Sequence, residues 1–303
     1  MPGFIRALAL GAASLLAAAA AAQEASRPAA EASDIVVTGQ DVESQIRDFV
    51  GALTVAPPRG QLARFERKVC PAAIGLRPGQ KQAVVARLRR VAAAAGLELG
   101  GPNCTPNVLL IVTADKRAFL EALARKHDYY FGAMTPTQVR RLVRQPGPAT
   151  AWQIEGPPLD SDGAETAQGG EAMLPGAEYP VNRTTRMASR ITAGGRPQFQ
   201  AAALVVEAGA LDGLTTLQLA DYAAMRLFAR TDPSRLPDPG PTTILKILDA
   251  PMGSEVPLTL TAWDFAFLKG FYASPENLYA ASERSEIGRR MAKELQAGGK
   301  GEQ

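Results

Sequence analysis

The feature that most constrains the fold is a short apolar run at residues 107–113, with the sequence N-V-L-L-I-V-T. Its length and its β-branched residues are typical of a β-strand. The run lacks the alternation of a strand that faces water on one side, so both of its faces need cover. It therefore predicts a central strand that other elements cover on both sides.

Residues 61–145 are predicted to form an α/β half of the protein around this strand. Residues 65–70 alternate enough to form a first strand. A helix is predicted over residues 80–95, because apolar residues recur there at the helical spacing and Gly96 provides a stop. These apolar residues are Val84, Val85, Leu88, Val91, Ala92 and Ala95.

Capping signals mark the starts of further helices. An oxygen-bearing side chain at such a position accepts a hydrogen bond from a free backbone N–H of the first helical turn. The signals are Asp115, Thr135 with Gln138, Thr215 with Gln218, Thr261 with Asp264, and Ser274 before Pro275. The helix after Thr215 is predicted over residues 217–230, with an apolar face that ends at Leu227 and Phe228.

Residues 181–297 are predicted to contain a β-hairpin followed by these last helices. Residues 186–192 and 199–207 are strand-like, and the A-G-G-R sequence at 193–196 favours a turn between them. The chain as a whole is therefore predicted to have an α+β fold, in which helices pack on a mixed sheet.

The N-terminus has the pattern of a secretory signal peptide. Arg6 is followed by an alanine- and leucine-rich stretch to Ala22 that is short for a membrane span and ends in small residues. Removing residues 1–22 leaves 32 of the 33 basic residues against 30 acidic ones, so the mature chain is close to neutral. We therefore expect a periplasmic or secreted protein without a stable membrane span after cleavage, and no nucleic-acid partner.

Three segments have compositions that disfavour packing. Residues 23–60 begin as a polar, alanine-rich tail and are predicted to be flexible. Residues 146–180 are rich in Pro, Gly, Ala and acids and are predicted to be a mobile linker or long loop, because such a segment buries little apolar surface. Residues 298–303 are predicted to be a frayed tail.

Cys70 and Cys104 are the only cysteines of the chain. An even number of cysteines in an exported protein favours a disulfide. The alternative is a pair of buried thiols. Because the C-x-x-C spacing is absent, redox catalysis is not expected.

The chain has a single histidine, His127, which disfavours most metallohydrolases and catalytic triads. No H-E-x-x-H, G-x-S-x-G, S-x-x-K, P-loop or dinucleotide-binding motif is present, and no Cys/His cluster has metal-ligand spacing. The sequence therefore predicts neither a metal nor a cofactor. An acid/base site needs no motif, so four carboxylates stay as candidates: Glu207, Asp212, Asp221 and Asp264.

The order of the elements over residues 62–290 resembles the core of the zincin metallopeptidases, and in particular secreted proteobacterial relatives of the metzincins. Two local patterns carry the resemblance. L-V-V-E at 204–207 leads into L-Q-L-A-D at 217–221, which stands in the place of H-E-x-x-H. L-T-L-T-A-W-D at 258–264, followed by L-K-G-F-Y at 268–272, is similar to the close of that fold.

The residues that hold zinc in this family are replaced here. Leu217 stands at the first histidine ligand, Gln218 at the general-base glutamate, Asp221 at the second histidine and Leu227 at the third ligand. Leucine offers no lone pair to a metal, and a glutamine amide cannot take a proton from water. The resemblance therefore implies a zincin-like scaffold, or pseudoenzyme, without a metal site.

Three functional hypotheses follow from the sequence. The first is an exported, non-catalytic, zincin-like accessory or binding protein of the bacterial periplasm or cell envelope, whose partner is a protein, a peptide or a glycan. The alternative is a hydrolase with a carboxylate-based site at Glu207, Asp212 and Asp221. A third hypothesis is a purely structural protein that binds partners through residues 23–60 and 146–180.

Overall fold

The computed structural model describes residues 39–54, 56, 60–160, 162–168, 180–181, 189, 192–251 and 253–299. The predicted signal peptide at residues 1–22 lies outside this part of the chain. Among the described helices, none combines the length and the apolar composition that crossing a bilayer requires.

Seven α-helices and eight strands are found in the described residues. The helices are α1 (Gly39–Leu53), α2 (Pro78–Ala95), α3 (Lys116–Lys126), α4 (Pro136–Val143), α5 (Thr216–Phe228), α6 (Ala262–Ala273) and α7 (Ala280–Gly299). The strands are β1 (Pro71–Ile74), β2 (Val108–Thr113), β3 (Ala149–Glu155), β4 (Leu159–Asp160), β5 (Ala167–Gln168), β6 (Pro180–Val181), β7 (Gly195–Arg196) and β8 (Phe199–Glu207).

The main sheet has the strand order β1-β2-β8-β3. β1, β2 and β8 are parallel, whereas β3 is antiparallel to β8 and forms one edge. α2 provides the crossover that two parallel neighbours require. The short strands form two separate pairs, β4 with β7 and β5 with β6. This mixed sheet with packed helices confirms the predicted α+β class.

Helices cover both faces of the sheet, and β2 lies between β1 and β8 as predicted. Leu110 of β2 and Leu204 of β8 belong to a large core that also contains residues of α1, α2, α5, α6 and α7. Ile111 and Val205, the next residues of the same strands, belong to a smaller core with residues of α3 and α4. The 107–113 run lacks alternation because both of its faces are buried.

The capping signals form the predicted helix starts. Asp115 accepts a hydrogen bond from the N–H of Ala118, and complete capping boxes form at Thr135, Thr215 and Thr261. The helix predicted at 80–95 is α2, and Gly96 ends it with a left-handed φ of 95°. These helix boundaries are set by hydrogen bonds between residues close together in the chain, so they can be predicted from the sequence.

Three boundaries differ from the predictions. β1 begins at Pro71 instead of within 65–70, because its partner β2 begins at Val108, which pairs with Pro71. The last helix begins at Ala280 rather than after Ser274, since the Ser274 hydroxyl donates to the carbonyl of Gly270 and closes α6. α7 extends to Gly299, so the helix includes the first two residues of the predicted tail.

The predicted flexible segment 23–60 contains a packed helix. In α1, Ile46, Phe49, Val50 and Leu53 are buried in the large core. These residues recur at helical spacing, so the stripe they form was visible in the sequence but was outweighed by the polar, alanine-rich composition. The prediction of flexibility is wrong for residues 39–53; residues 23–38 lie outside the described part of the chain.

The predicted linker 146–180 contains β3, which completes the main sheet. The predicted hairpin is also wrong, because β8 has β2 on one side and β3 on the other and has no free edge for residues 186–192. Most of residues 186–192 lie outside the described residues. The prediction of a hairpin assumes that strands adjacent in the sequence pair with each other. Here β8 pairs with β3 instead, and 44 residues separate the paired residues Glu155 and Phe199.

The disulfide between Cys70 and Cys104 is present, as predicted. Cys70 directly precedes β1, and its backbone N–H donates to Oδ1 of Asn107, which precedes β2, at 2.7 Å. The disulfide and this hydrogen bond therefore join the chain before β1 to the loop that leads into β2.

Candidate functional site

Asp221, the carboxylate at the second zincin ligand position, is completely buried on α5. Its Oδ1 accepts a hydrogen bond from Nε of Arg87 at 2.6 Å, and its Oδ2 accepts from Nη2 of the same residue at 3.0 Å. Oδ2 also accepts from the Thr259 hydroxyl and from the N–H of Leu260. Asp221 thus joins α5 to α2 and to the 259–260 segment, and both of its oxygens accept hydrogen bonds from groups of the fold.

The other three residues at zincin ligand or base positions lie in different environments. Leu217 is 39% exposed, whereas Leu227 is fully buried in the large core. Gln218 accepts from the N–H of Thr215 in the capping box and donates from Nε2 to the carbonyl of Pro257 at 2.8 Å. Gln218 therefore caps its helix and Leu227 packs in the core, whereas Leu217 lies partly exposed at the surface. The resemblance to zincins stays a prediction about the scaffold.

The remaining carboxylate candidates are also separate. Glu207 lies at the end of β8, where its Oε1 accepts from the N–H of Lys116 at 3.2 Å. Lys116 is itself buried, and burial lowers the pKa of its ammonium group. Asp212 is exposed at the end of a 3-10 turn. None of the cavities described below is lined by Glu207, Asp212 or Asp221.

Asp264 is buried at the start of α6 and holds the 243–244 segment. It accepts from the N–H of Ile244 at 2.9 Å, from the hydroxyl of Thr243, and from the backbone and side chain of Thr261. Burial raises the pKa of this carboxyl group. Its donors are all parts of the fold, so Asp264 acts as a structural bridge.

His127 ends α3, where its ring contacts the rings of Tyr129 and Tyr130 edge-on. Across the described ranges, no three His, Cys, Asp or Glu side chains are grouped as a metal ion would require.

A groove follows the outer edge of β3; we call it the β3 groove. It has a volume of about 390 Å³. On one side it is lined by residues 151–155 of β3, and on the other by Phe131, Ala133, Met134, Gln138 and Leu142; Arg230, which pairs with Glu155, also lines it. Trp152 fixes the two sides together, since its ring stacks on Phe131 and its Nε1 donates to the carbonyl of Tyr130 at 2.9 Å.

The strand register points alternate backbone groups of β3 away from β8, on the side where no described strand pairs with it. The carbonyl of Pro148 accepts a hydrogen bond from the N–H of Glu207 at 2.9 Å. In an antiparallel pair, every second residue of a strand bonds to the partner strand through its backbone. The backbone groups of Thr150 and Trp152 therefore also bond to β8. The intervening residues point their N–H and C=O groups outward: Ala149, Ala151 and Gln153. Within the described part of the chain, no backbone hydrogen bond reaches these outward groups.

Arginines from α4 lie next to the β3 groove. A neighbouring cavity of about 730 Å³ shares Met134, Gln138 and Leu142 with the groove and is lined by Arg140, Arg141 and Arg144. These three side chains are exposed and form no ion pair with any described residue, unlike Arg64, Arg87, Arg117 and Arg230. The surface beside the groove is therefore positive and suited to an anionic partner.

Apart from these sites, Glu283 of α7 is a buried acid. It is 2% exposed, forms no ion pair with a described residue, and accepts one long hydrogen bond, from the N–H of Leu62 at 3.4 Å. Burial raises the pKa of Glu283 from 4.5 to about 7. The folded protein thus holds this proton at pH values where the unfolded chain releases it.

This difference predicts a pH-dependent gain in stability for Glu283→Gln. Below pH 4.5 Glu283 is protonated in both the folded and the unfolded state. Between pH 4.5 and about 7 it is protonated only in the folded state, so a rise in pH across this range lowers the stability of the wild type. The glutamine variant lacks this loss and should be more stable above the range by at most about 3 kcal/mol. Urea unfolding at a series of pH values measures the difference; a difference that is the same at every pH would contradict the assignment.

Comparison of this chain with protein-family models, with curated proteins and with solved structures found no match. The chemistry of its own surfaces therefore has to indicate the function. None of the carboxylate or zincin-position candidates lies in the β3 groove, whereas the hypothesis of partner binding through residues 146–180 includes the groove residues 151–155. The alternating A-T-A-W-Q-I-E sequence at 149–155 was the available signal.

Proposed function

We propose that this protein is a non-catalytic accessory protein of the bacterial cell envelope, which binds an extended, acidic peptide segment of a partner in the β3 groove. The observation that carries the proposal is the outer edge of β3, which pairs with no described strand. Ala151 is half-buried there and lines the groove, whereas Gln153 and Ala149 are buried. Exposed strand edges add an extended peptide by main-chain hydrogen bonding, and adjacent pockets select its side chains.

The lining of the groove indicates the chemistry of the peptide. Met134, Leu142 and Phe131 provide apolar contacts, so alternate side chains of an added strand would be apolar. Arg140, Arg141 and Arg144 have no carboxylate partner among the described residues and would attract acidic side chains. A peptide that alternates apolar and acidic residues satisfies both requirements.

The cell-envelope part of the proposal rests on two features. The N-terminal sequence has the pattern of a signal peptide, as argued above. The disulfide between Cys70 and Cys104 is a bond that persists in oxidising compartments and is rare in the cytosol of mesophiles. Both features support an exported protein.

Ala151→Pro is expected to weaken peptide binding at least about tenfold. Proline removes the outward N–H of residue 151 but none of the bonds to β8, and edge strands tolerate proline in this orientation. The probe is a fluorescently labelled, end-capped peptide of alternating valine and glutamate, measured by anisotropy. Ala151→Ser is the matched control, because it keeps the N–H, and it should bind like the wild type.

The charge of the peptide gives a second arm of this experiment. A valine–lysine peptide should bind much more weakly than the valine–glutamate peptide, and Arg140→Glu with Arg144→Glu should reverse this preference. Added salt should weaken the glutamate peptide. Equal binding of the glutamate peptide to the wild type and to a folded Ala151→Pro variant would overturn strand addition, and no binding to the wild type would overturn the proposal.

A further inference from the structure

The 3-10 turn Asp128–Phe131, which follows α3, presents two adjacent tyrosines to solvent. Tyr129 is 63% exposed and Tyr130 is 43% exposed, and their ring centroids are 4.3 Å apart. The turn itself is anchored, because Phe131 is buried in the smaller core and the carbonyl of Tyr130 accepts from Nε1 of Trp152. The fold therefore holds both rings at the surface.

Basic side chains lie next to these rings. Arg125 and Lys126 are exposed in the last turn of α3, and neither forms an ion pair with a described residue. His127, the next residue, packs edge-on against both tyrosine rings. We call these five residues the tyrosine surface: Arg125, Lys126, His127, Tyr129 and Tyr130.

A groove of about 550 Å³ connects the tyrosine surface to α4. It is lined by Tyr129 from the turn and by Val139 and Arg140 from α4. Arg140 also lines the cavity of Arg141 and Arg144. The tyrosine surface and the arginines of α4 therefore form one continuous surface, although the β3 groove contains no residue of the tyrosine surface.

The segment 114–146 carries the positive excess of the whole chain. It contains seven Lys or Arg and three Asp or Glu, a net charge of +4, whereas the full chain has a net charge of +3. Two of its acids are engaged within the fold, since Asp115 caps α3 and Glu121 pairs with Arg117. The third, Asp128, lines the groove and is outnumbered by the exposed basic side chains of α3 and α4.

We infer that this surface binds the headgroup region of an anionic lipid bilayer, which goes beyond the proposed peptide site. Clusters of about four to eight basic residues are attracted to anionic lipid headgroups. The rings of Tyr129 and Tyr130 would lie at the headgroup level, where the apolar body and the polar hydroxyl of a tyrosine are both accommodated. A soluble polyanion matches the charge but provides no such interface for two rings, so the exposed tyrosine pair favours the bilayer.

Sedimentation with vesicles tests this inference. The wild type should bind vesicles of phosphatidylglycerol and phosphatidylcholine at least about tenfold more tightly than vesicles of phosphatidylcholine alone, and added salt should weaken the binding. Tyr129→Ser with Tyr130→Ser should weaken it at least about tenfold without a change in charge. Leu258→Ser is the matched control, because Leu258 is 77% exposed and adjoins Thr259, which bonds to α5 on the other face of the sheet. This control should bind like the wild type.

A second pair of variants separates local charge from net charge. Arg125→Gln with Lys126→Gln should weaken binding to the anionic vesicles at least about fivefold. Lys81→Gln with Arg90→Gln removes the same charge from exposed positions of α2 and should leave binding unchanged. Urea unfolding should give all four variants the midpoint of the wild type, since the substituted side chains are exposed.

Three outcomes would overturn the inference: no binding to the anionic vesicles, equal binding to the neutral ones, or equal losses in the two charge variants. Binding of dextran sulfate that the tyrosine variant loses, without vesicle binding, would assign the surface to an anionic glycan and would also overturn it. Ala151→Pro should bind the vesicles like the wild type, and the tyrosine variant should bind the valine–glutamate peptide like the wild type. The failure of either proposal therefore leaves the other intact.

Discussion

Replacing Asp221 with asparagine is expected to lower the free energy of unfolding by about 3–5 kcal/mol, as found when one partner of a buried ion pair is removed. Asp221 is completely buried, and Arg87 is only 25% exposed. An asparagine amide can accept with one oxygen, so it cannot serve Arg87, Thr259 and Leu260 together. The contacts of α5 with α2 and with the 259–260 segment should weaken at the same time.

Urea unfolding of the wild type, Asp221→Asn and Asp212→Asn measures this effect. Asp212 is an exposed carboxylate in the turn before α5, so Asp212→Asn should change stability by less than about 0.5 kcal/mol. The alternative hypothesis of a carboxylate-based hydrolase makes the opposite prediction. An unchanged unfolding midpoint for Asp221→Asn, together with the loss of a hydrolytic activity, would favour that hydrolase.

The second large effect is expected when both cysteines are replaced by serine. The disulfide closes a loop of 34 residues, and the chain-entropy relation gives a loss of about 3–4 kcal/mol when it is removed. The loss arises mainly because the unfolded chain regains conformational freedom. The hydrogen bond from the Cys70 N–H to Asn107 belongs to the backbone and is kept in the variant.

Reduction provides the control for this variant. A reducing agent should lower the unfolding midpoint of the wild type to that of the Cys70→Ser, Cys104→Ser variant and should leave the variant unchanged. If the variant matches the oxidised wild type, the disulfide does not stabilise the fold. If the reductant also destabilises the variant, the loss comes from a different source.

The candidate site shows how far sequence reasoning reaches. Gln218 and Thr215 were identified as a capping box, and this is the role that the structure gives them. Asp221 was identified as a candidate carboxylate and as the residue at the second zincin ligand position, but its partner Arg87 is 134 residues away. Spacing in the sequence carries no information about such a contact, so only the tertiary structure shows that Asp221 belongs to a structural ion pair.

The sequence by itself determined the features that depend on neighbouring residues: the central strand at 107–113 and the helix caps at Asp115, Thr135, Thr215 and Thr261. It favoured the disulfide, because the chain has only two cysteines. Only the tertiary structure decided which strand pairs with β8, that α1 packs into the core, and that β3 is an edge strand near three arginines that form no ion pair with a described residue. The physical reason is that caps and periodicity are set within a few residues, whereas strand order and side-chain convergence depend on segments far apart in the chain.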